Sequence, residues 1–161
     1  MVSPEMLRRY PFFCCLNDTQ QRAIATVADE ISCPAGTTLF YEGQPVQALY
    51  VLLDGEVELY YTASGDPKDQ LLVDQVEVGG IVGISALIEP YTLTATARVT
   101  SASRVLKIDA ATLRALCEVD CTMGYALMRQ IAHAALERLH FARVQLAAAR
   151  SREENQARIP A

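Results

Sequence analysis

The sequence predicts a mainly β domain with α-helices: an antiparallel jelly roll or barrel of about eight strands, flanked by N-terminal helices and a long C-terminal helix. Three observations favour this fold class. Gly, Pro and Asp turns cut the middle of the chain into short pieces, helical periodicity precedes them, and a stretch almost free of Gly and Pro follows them. The 161 residues, 51% of them hydrophobic, are enough to bury one core.

Two helical segments are predicted at the N-terminus. The first begins in SPEMLRRY, because a Ser-Pro step with Glu behind it is a common helix start. The second is NDTQQRAIATVADE, in which Ala23, Ile24 and Val27 recur at helical spacing. From Ile31 onward turn residues become frequent, so short strands are expected to replace the helices.

The strands are expected between residues 31 and 109. In GEVELYYT, the residues Val57, Leu59 and Tyr61 alternate with residues that face the other side of a sheet. The preceding stretch ALYVLL resembles a more completely buried strand, and Asp54-Gly55 is the predicted hairpin turn between the two. Further strands are predicted in LLVDQVEV and SRVLKID, which brings the total to about eight.

One long helix is predicted from Cys121 to Arg150, after a short helix in ATLRALCEV. This stretch has no Pro and only Gly124 as a glycine, and strong helix formers dominate it. Alternating steps of three and four residues meet an apolar residue each time, which is typical of helices that pair along one face. We call these residues the seam: Tyr125, Met128, Ala132, Ala135, Leu139, Ala142, Leu146 and Ala149.

The same helix carries a second set of apolar residues away from the seam: Leu127, Ile131, Leu136, Phe141 and Val144. One set can cover the jelly roll while the other contacts a second copy of the chain. A helix of roughly thirty residues is ~45 Å long and extends beyond a domain of this size. We therefore predict a homodimer formed through this helix, and the alternative is a helix that only wraps its own barrel.

The chain is expected to form one domain. Residues 1–120 comprise the N-terminal helices, the jelly roll and the short helix, and residues 121–150 form the long dimerisation helix of the same domain. Residues 151–161 are predicted to be a flexible tail, because chain ends that pack against nothing are poorly ordered.

Charge and hydropathy exclude several classes of protein. Fourteen basic and nineteen acidic residues give a formal charge of -5 and a pI near 5.0, which disfavours nonspecific binding to nucleic acid. No apolar run approaches the ~18 residues that span a bilayer, and the first residues are too few and too polar for a secretory signal. We therefore expect a cytoplasmic protein that does not associate with a membrane.

The five cysteines are odd in number and irregular in spacing, which favours reduced thiols over disulfides. A metal or iron–sulfur site formed by Cys14, Cys15, Cys117 and Cys121 is the alternative. Adjacent Cys14 and Cys15 project in different directions, however, and no CxxC pair exists. We therefore predict no metal site.

The two histidines give no sign of an enzyme. Jelly rolls that catalyse metal chemistry use two or three histidines and a carboxylate inside the barrel, whereas His133 and His140 both lie on the long helix, off its seam. They are about 10.5 Å apart along the axis, too far to share one metal. No catalytic motif is present either, so we predict no enzymatic activity; a haem sensor with a Cys or His axial ligand is a further alternative.

The order of N-terminal helices, jelly roll and long helix resembles the cyclic nucleotide-binding domain of the catabolite activator protein (Crp/Fnr-like) family. The family's opening hairpin is similar to CPAGTTLFYEGQP, its glycine-turn strand pair to ALYVLLDGEVELYY, and its phosphate-binding cassette to VGGIVGISALIEPYTLTATARV. The resemblance covers about residues 7–150. It implies a regulatory module for signal transduction.

The resemblance also implies a ligand site in the cassette. In the family, a Gly-Glu pair opens a short helix whose N-terminus faces the cyclic phosphate, an Arg pairs with that phosphate, and the Glu holds the ribose 2′-hydroxyl. Here Gly83, Leu87 and Thr94-Ala95 match, but Ile84 stands at the Glu position and Leu93 at the Arg position, so the cassette is degenerate. The candidate ligand-binding residues are Gly83, Ile84, Ser85, Ala86, Leu87, Leu93, Thr94 and Ala95.

The nearby Arg98 does not replace the missing arginine. Odd-numbered residues from Leu93 onward form an apolar set, and strand alternation places Arg98 on the opposite face. A shift of one residue would turn the whole apolar set toward solvent. The hydroxyls of Ser85 and Thr94 and the backbone N–H groups of Ser85 and Ala86 are left as weak ligands for an anion.

These observations predict a dimeric, non-enzymatic regulatory or scaffold module whose pocket has lost the phosphate and ribose ligands. It would not bind cyclic AMP or cyclic GMP in the family manner, and no cofactor is predicted. The alternative is a genuine cyclic-nucleotide receptor with relaxed contacts that signals through a partner protein. Family members that bind DNA carry a helix-turn-helix after the long helix, and eleven residues follow Arg150, so we expect no DNA binding by this chain and output through a partner protein.

Overall fold

Eight strands form two antiparallel four-stranded sheets in the computed structural model, which describes residues 2–160. The strands are β1 (Ala28–Cys33), β2 (Thr38–Phe40), β3 (Ala48–Asp54), β4 (Val57–Thr62), β5 (Gln70–Val76), β6 (Ile81–Val82), β7 (Thr96–Val99) and β8 (Ser103–Asp109). One sheet has the order β1-β8-β3-β6 and the other β2-β7-β4-β5. The predicted fold class is confirmed, and the two sheets form a jelly-roll-like sandwich, not a closed barrel.

Helices lie before and after the sandwich: α1 (Pro4–Leu7), α2 (Pro11–Cys14), α3 (Asp18–Val27), α4 (Ala110–Val119) and α5 (Cys121–Ala157), with short 3₁₀ turns at Pro67–Asp69 and Ile84–Leu87. A capping box starts α3, because the Asn17 side chain accepts the N–H of Gln20 and the Gln20 side chain accepts the N–H of Asn17. The helix ends at Val27, before the Glu30 predicted from the sequence. Ala28 instead begins β1, where pairing with β8 supplies the backbone hydrogen bonds.

The core has two parts because β3 buries side chains on both of its faces. Residues 48–53 are all buried, in agreement with the fully buried strand predicted in ALYVLL. Tyr50 and Leu52 pack between the two sheets, while Leu49 and Val51 pack against the N-terminal helices and α5. The helices therefore cover the outer face of the first sheet and leave the space between the sheets to strand residues.

Helix α5 is longer than the sequence predicted. It begins after Asp120, whose carboxylate accepts the N–H of Met123, and it continues to Ala157 instead of ending at Arg150. Residues 151–157 contain no Gly or Pro, so nothing in the chain stops the helix there. At 1.5 Å per residue, its 37 residues span roughly 55 Å.

One face of α5 packs on the sandwich, and the seam lies outside that face. Leu127 and Ile131 are fully buried, whereas every seam residue is exposed except Ala149, which is half-buried. The expectation that the second apolar set covers the sandwich is wrong for Leu136 and Val144, which are 65% and 51% exposed. Leu136 is nine residues from Leu127, half a turn out of phase, so it faces the opposite side of the helix.

Residues 2–160 form no α-helix that is both long and apolar enough to cross a lipid bilayer. Across the same residues, no three His, Cys, Asp or Glu side chains come together as a metal site, so Cys14, Cys15, Cys117 and Cys121 are not assembled into a cluster. All five cysteines are free thiols, and burial raises the pKa of the Cys33 thiol.

Candidate functional site

The predicted cassette forms a tight turn against β3. Gly83 has a φ of +80° and precedes the 3₁₀ turn Ile84–Leu87, which we call the cassette turn. A Cβ atom on Gly83 would lie 2.7 Å from the carbonyl oxygen of Ala48. Both the left-handed backbone and this close approach therefore require glycine.

A cavity of about 220 Å³, the cassette cavity, lies beside this turn. Six of the predicted ligand-binding residues line it: Gly83, Ile84, Ser85, Leu93, Thr94 and Ala95. Ala86 and Leu87 do not line it, because Ala86 is fully buried and Leu87 packs against the core below the turn. The other lining residues come from β2, β4, β5 and α5: Phe40, Leu59, Tyr61, Val73 and Arg138.

The backbone on both sides of Leu93 fixes its side chain at the cavity. Its N–H donates to the Gln44 carbonyl at 2.9 Å, and its own carbonyl accepts the N–H of Gly43 at 2.8 Å. The side chain is 4% exposed and belongs to the same core cluster as the helices. A group that enters the cavity here meets apolar atoms where the family resemblance places a guanidinium.

Among the described residues that line the cassette cavity, Arg138 of α5 is the only charged one. Its side chain is 17% exposed, its Nε lies 3.3 Å from Oδ2 of Asp74 on β5, and its guanidinium donates to the carbonyl oxygen of Ile81. Burial lowers the pKa of Arg138, and the Asp74 carboxylate opposes that shift. The guanidinium is therefore already engaged in holding α5 against β5 and β6.

Sequence reasoning missed Arg138. The two members of the ion pair are 64 residues apart, and neither belongs to a recognisable motif. A weak signal was present, because Arg138 lies eleven residues after the buried Leu127 and therefore close to the same face of the helix. A cation on the covered face of an amphipathic helix needs a partner inside the domain.

Arg98 lies outside the cavity, as strand alternation predicted. Its guanidinium carbon is 5.2 Å from the centroid of the Tyr60 ring, and Arg98 is the register partner of Glu58 on β4. Thr96 departs from the predicted alternation, because it is buried like the odd-numbered set. Its hydroxyl accepts the N–H of Glu42, which satisfies the buried oxygen.

Helix α4 supports the far end of the cassette turn. The Arg114 Nη1 donates to the carbonyl oxygen of Ala86 at 2.7 Å, and the same guanidinium lies over the ring of Tyr91, 4.2 Å from its centroid. Tyr91 has a φ of +58°, which is uncommon for a residue with a Cβ atom. Neither residue was predicted from the sequence, because neither matches the cassette pattern.

The cassette turn offers fewer hydrogen-bond donors to an anion than the sequence predicted. The N–H of Ala86 donates to the Gly83 carbonyl at 3.0 Å within the turn, so it is not available to a ligand. The turn has only four residues, too few to build an appreciable helix dipole. The hydroxyls of Ser85 and Thr94 are the remaining polar side-chain groups of the cassette at the cavity.

The histidines lie on the outside of α5, away from the cassette. Both are exposed, and Nε2 of His133 is 3.1 Å from Oε1 of Glu137, one helical turn along. His133 and His140 border a groove of about 660 Å³ between α5 and the segment that joins β5 to β6. Arg138 is the one described residue that borders both this groove and the cassette cavity.

In sequence and structure, the chain is similar to cyclic nucleotide-binding proteins. The family model described as cyclic nucleotide-binding domain matches residues 30–120. A solved structure of a candidate cyclic nucleotide-binding protein from Geobacter metallireducens is 41% identical, with a TM-score of 0.77, over 87% of this chain and 100% of that one. The N-terminal domain of a transcriptional regulator from Streptomyces coelicolor is 28% identical, with a TM-score of 0.63, over 82% of this chain and 93% of that one.

One curated relative is a much longer protein. A candidate potassium channel protein from Rhodopseudomonas palustris is 28% identical over 116 residues, which are 72% of this chain. The match spans 27% of the length of that relative. The similarity therefore concerns one part of the channel protein.

Proposed function

The chain belongs to the cyclic nucleotide-binding domain family, and from that membership we propose a non-enzymatic regulatory or scaffold module that does not bind cyclic AMP or cyclic GMP in the family manner. Leu93 carries the proposal, because it is 4% exposed and stands where the sequence resemblance places the family's phosphate-binding arginine. Ile84, at the position of the ribose-binding glutamate, lines the same cavity.

The lost contacts are large enough to matter. A hydrogen bond to a charged group contributes about 1.5 to 3 kcal/mol, and each 1.4 kcal/mol is roughly a factor of ten in affinity. Loss of the arginine and glutamate contacts together therefore weakens family-style binding by a factor on the order of a hundred or more. The cavity of about 220 Å³ is also below the roughly 300 to 1,000 Å³ of typical small-molecule sites.

Calorimetric titration of the unmodified protein with cyclic AMP and cyclic GMP tests the proposal. We expect no saturable heat below millimolar nucleotide, because among residues 2–160 the one cation at the cavity, Arg138, is already paired with Asp74. A dissociation constant in the micromolar range or tighter would overturn the proposal, whichever of the two nucleotides gives it.

A paired variant tests whether only the ligand groups are missing. Ile84→Glu with Leu93→Arg restores both charged groups, and we expect it to gain cyclic-nucleotide binding. The matched control is Ile84→Gln with Leu93→Met, which supplies side chains of similar length without charge and should not gain binding. If the charged double variant folds but binds the nucleotide no better than the control double variant, the cavity itself rejects the nucleotide.

The second candidate function is a cyclic-nucleotide receptor with relaxed contacts, and Arg138 is the observation in its favour. In this candidate function, a ligand phosphate replaces the Asp74 carboxylate as the partner of the Arg138 guanidinium, which already borders the cavity. In that case the unmodified protein binds the nucleotide and Arg138→Met removes most of the affinity. An Arg138→Met variant that binds as well as the unmodified protein counts against this candidate.

We also propose that the module is a homodimer joined through the seam of α5. The exposed Leu139 and Leu146, at 46% and 62%, support this proposal, because long apolar side chains in register on one helix face are costly to leave in water. Sedimentation equilibrium is expected to give twice the chain mass of 17.6 kDa. A single chain mass at micromolar concentration would contradict it.

The output of the module is proposed to pass through a partner protein in the cytoplasm. Residues 2–160 contain no DNA-binding domain after α5, and the net charge of -5 disfavours contact with nucleic acid. We expect no binding to random-sequence duplex DNA at physiological salt, as measured by a fluorescence anisotropy titration. Salt-sensitive binding of that DNA would contradict this part of the proposal.

A further inference from the structure

A second cavity, of about 380 Å³, opens at the end of the sandwich near the loop that joins β2 to β3. Its walls come from β2, β3, β8 and the loops beside them: Leu39, Phe40, Tyr41, Gln44, Pro45, Gln47, Ala48, Tyr50, Leu93 and Lys107. Phe40 and Leu93 line this cavity and the cassette cavity, so they separate the two. Its volume lies within the roughly 300 to 1,000 Å³ of small-molecule sites.

Tyr50 brings a polar group to the wall of this cavity. The residue is 8% exposed, and its hydroxyl forms no hydrogen bond with any residue that the structure describes. Every fully buried side-chain nitrogen or oxygen atom of the described residues has a partner, so the Tyr50 hydroxyl is within reach of solvent. A ligand in the cavity can take the place of that solvent and accept a hydrogen bond from the hydroxyl.

Lys107 stands beside Tyr50. The two are register partners on the neighbouring antiparallel strands β8 and β3, so their side chains leave the same face of the sheet next to each other. The structure gives the Lys107 ammonium no ion pair within residues 2–160. Asp29 is opposite Lys107 on β1, but it is not among the residues that line the cavity.

We propose that this second cavity binds a small organic monoanion with a flat apolar body, such as an aromatic carboxylate. The Lys107 ammonium would pair with the carboxylate, and the Tyr50 hydroxyl would donate a hydrogen bond to it. The apolar body would lie against Phe40, Tyr41 and Pro45, which supply flat or rigid contact surfaces. This ligand site is independent of whether the cassette cavity binds a cyclic nucleotide.

The ligand class follows from the composition of the walls. One cation and one hydroxyl side by side suit a single carboxylate, whereas a phosphate dianion would be left with charge to neutralise. Aromatic and apolar side chains make up most of the remaining wall, so a purely inorganic anion would leave them without contact. The side-chain amides of Gln44 and Gln47 at the rim can donate hydrogen bonds to a polar substituent on the ligand or accept hydrogen bonds from it.

The experiment uses 1-naphthoate as the probe in calorimetric titrations of the whole chain. We expect saturable binding that weakens roughly tenfold or more in Lys107→Met and several-fold in Tyr50→Phe, because each removes one contact to the carboxylate. Lys68→Met is the matched control, since Lys68 is the other lysine of the chain and lies in the Pro67–Asp69 turn, away from the cavity. The neutral analogue 1-naphthalenemethanol should bind at least tenfold more weakly.

A second measurement needs no substitution and so does not depend on whether the variants fold. Reductive methylation with carbon-13 formaldehyde labels both lysines and keeps their charge, so Lys68 is the internal control in the same sample. Naphthoate is expected to move the Lys107 methyl resonance and leave that of Lys68 in place. Absence of saturable binding at millimolar probe, equal shifts of the two resonances, or equal affinity for the neutral analogue would each overturn the proposal.

Discussion

Gly83 sets the shape of the cassette turn, and Leu93 sets the chemistry of the cavity beside it. Gly83 combines a φ of +80° with a close approach to the backbone of Ala48, and both features fix the path of the turn. Leu93 is held by backbone hydrogen bonds to Gln44 and Gly43, and its apolar side chain lines the cavity. The shape of the turn and the chemistry of the cavity wall therefore depend on different residues.

The first prediction concerns Gly83→Ala. We expect the free energy of unfolding to fall by about 2 kcal/mol or more, because the new Cβ combines left-handed strain with a contact to a backbone oxygen that cannot move easily. Urea denaturation followed by circular dichroism measures the change. Gly65→Ala is the control, since Gly65 has a similar φ of +77° but open space around its Cβ position. Equal losses in the two variants would show that strain alone requires glycine at position 83.

The residues of the site differ in how far the sequence could identify them. Gly83, Ile84 and Leu93, which line the cavity, were identified from the cassette pattern because that pattern is local in the chain. Arg114 and Arg138 were not found, because their contacts depend on which turn of a helix meets which strand. The spacing of apolar residues shows which face of a helix is covered, but not which element packs against that face.

At the scale of secondary structure, the link between α5 and β5 controls the wall of the cassette cavity. Arg138 and Asp74 are 17% and 18% exposed, so both charges have lost most of their water. A buried pair of this kind contributes little compared with an apolar replacement of both residues, but removal of one partner leaves a buried charge without compensation. The pair therefore fixes the position of α5 more than it adds stability.

The second prediction tests that role through Asp74→Asn. We expect a loss of about 3 kcal/mol in the free energy of unfolding, because the Arg138 guanidinium then lies buried without its carboxylate. The double variant Asp74→Asn with Arg138→Met should lose less than the single variant, since neither charge is left. Chemical denaturation of the three proteins measures both differences, and a double variant as unstable as the sum of its parts would contradict the argument.

The control for this prediction is Asp18→Asn. Asp18 pairs with Arg8 at 3.0 Å, but the two side chains are 70% and 47% exposed. Solvent screens such a pair, so its removal should cost less than about 1 kcal/mol. A loss as large as that of Asp74→Asn would show that burial of the pair is not the cause.

Helix α5 shows what periodicity can and cannot predict about an element. The seam was read from alternating spacings of three and four, and its residues do lie outside the packed face. The predicted end at Arg150 is seven residues short of Ala157, because chain ends that pack against nothing are expected to be poorly ordered. Polar residues without Gly or Pro are compatible with an exposed helix, so composition alone did not locate the end.

For the molecule as a whole, α5 has three sides with different surroundings. Leu127 and Ile131 pack on the sandwich, the seam lies about a quarter turn away, and the groove beside His133 and Val144 lies on the other flank. The last turns of the helix extend past the sandwich and are exposed. An isolated helical segment of this kind is marginal in water, and this is a physical reason behind the proposed pairing with a second copy.

The last prediction joins the seam to the stability of the whole molecule. If two chains pair through α5, unfolding also separates them, so the melting temperature rises with protein concentration. We expect that rise in the unmodified protein and its absence in Leu139→Glu, which places a charge in the middle of the seam. Val144→Glu is the control, because Val144 is similarly exposed but lies about 140° further around the helix. Thermal unfolding measured over a hundredfold range of concentration decides the matter, and a Leu139→Glu protein that keeps the concentration dependence would show that the seam does not hold the dimer together.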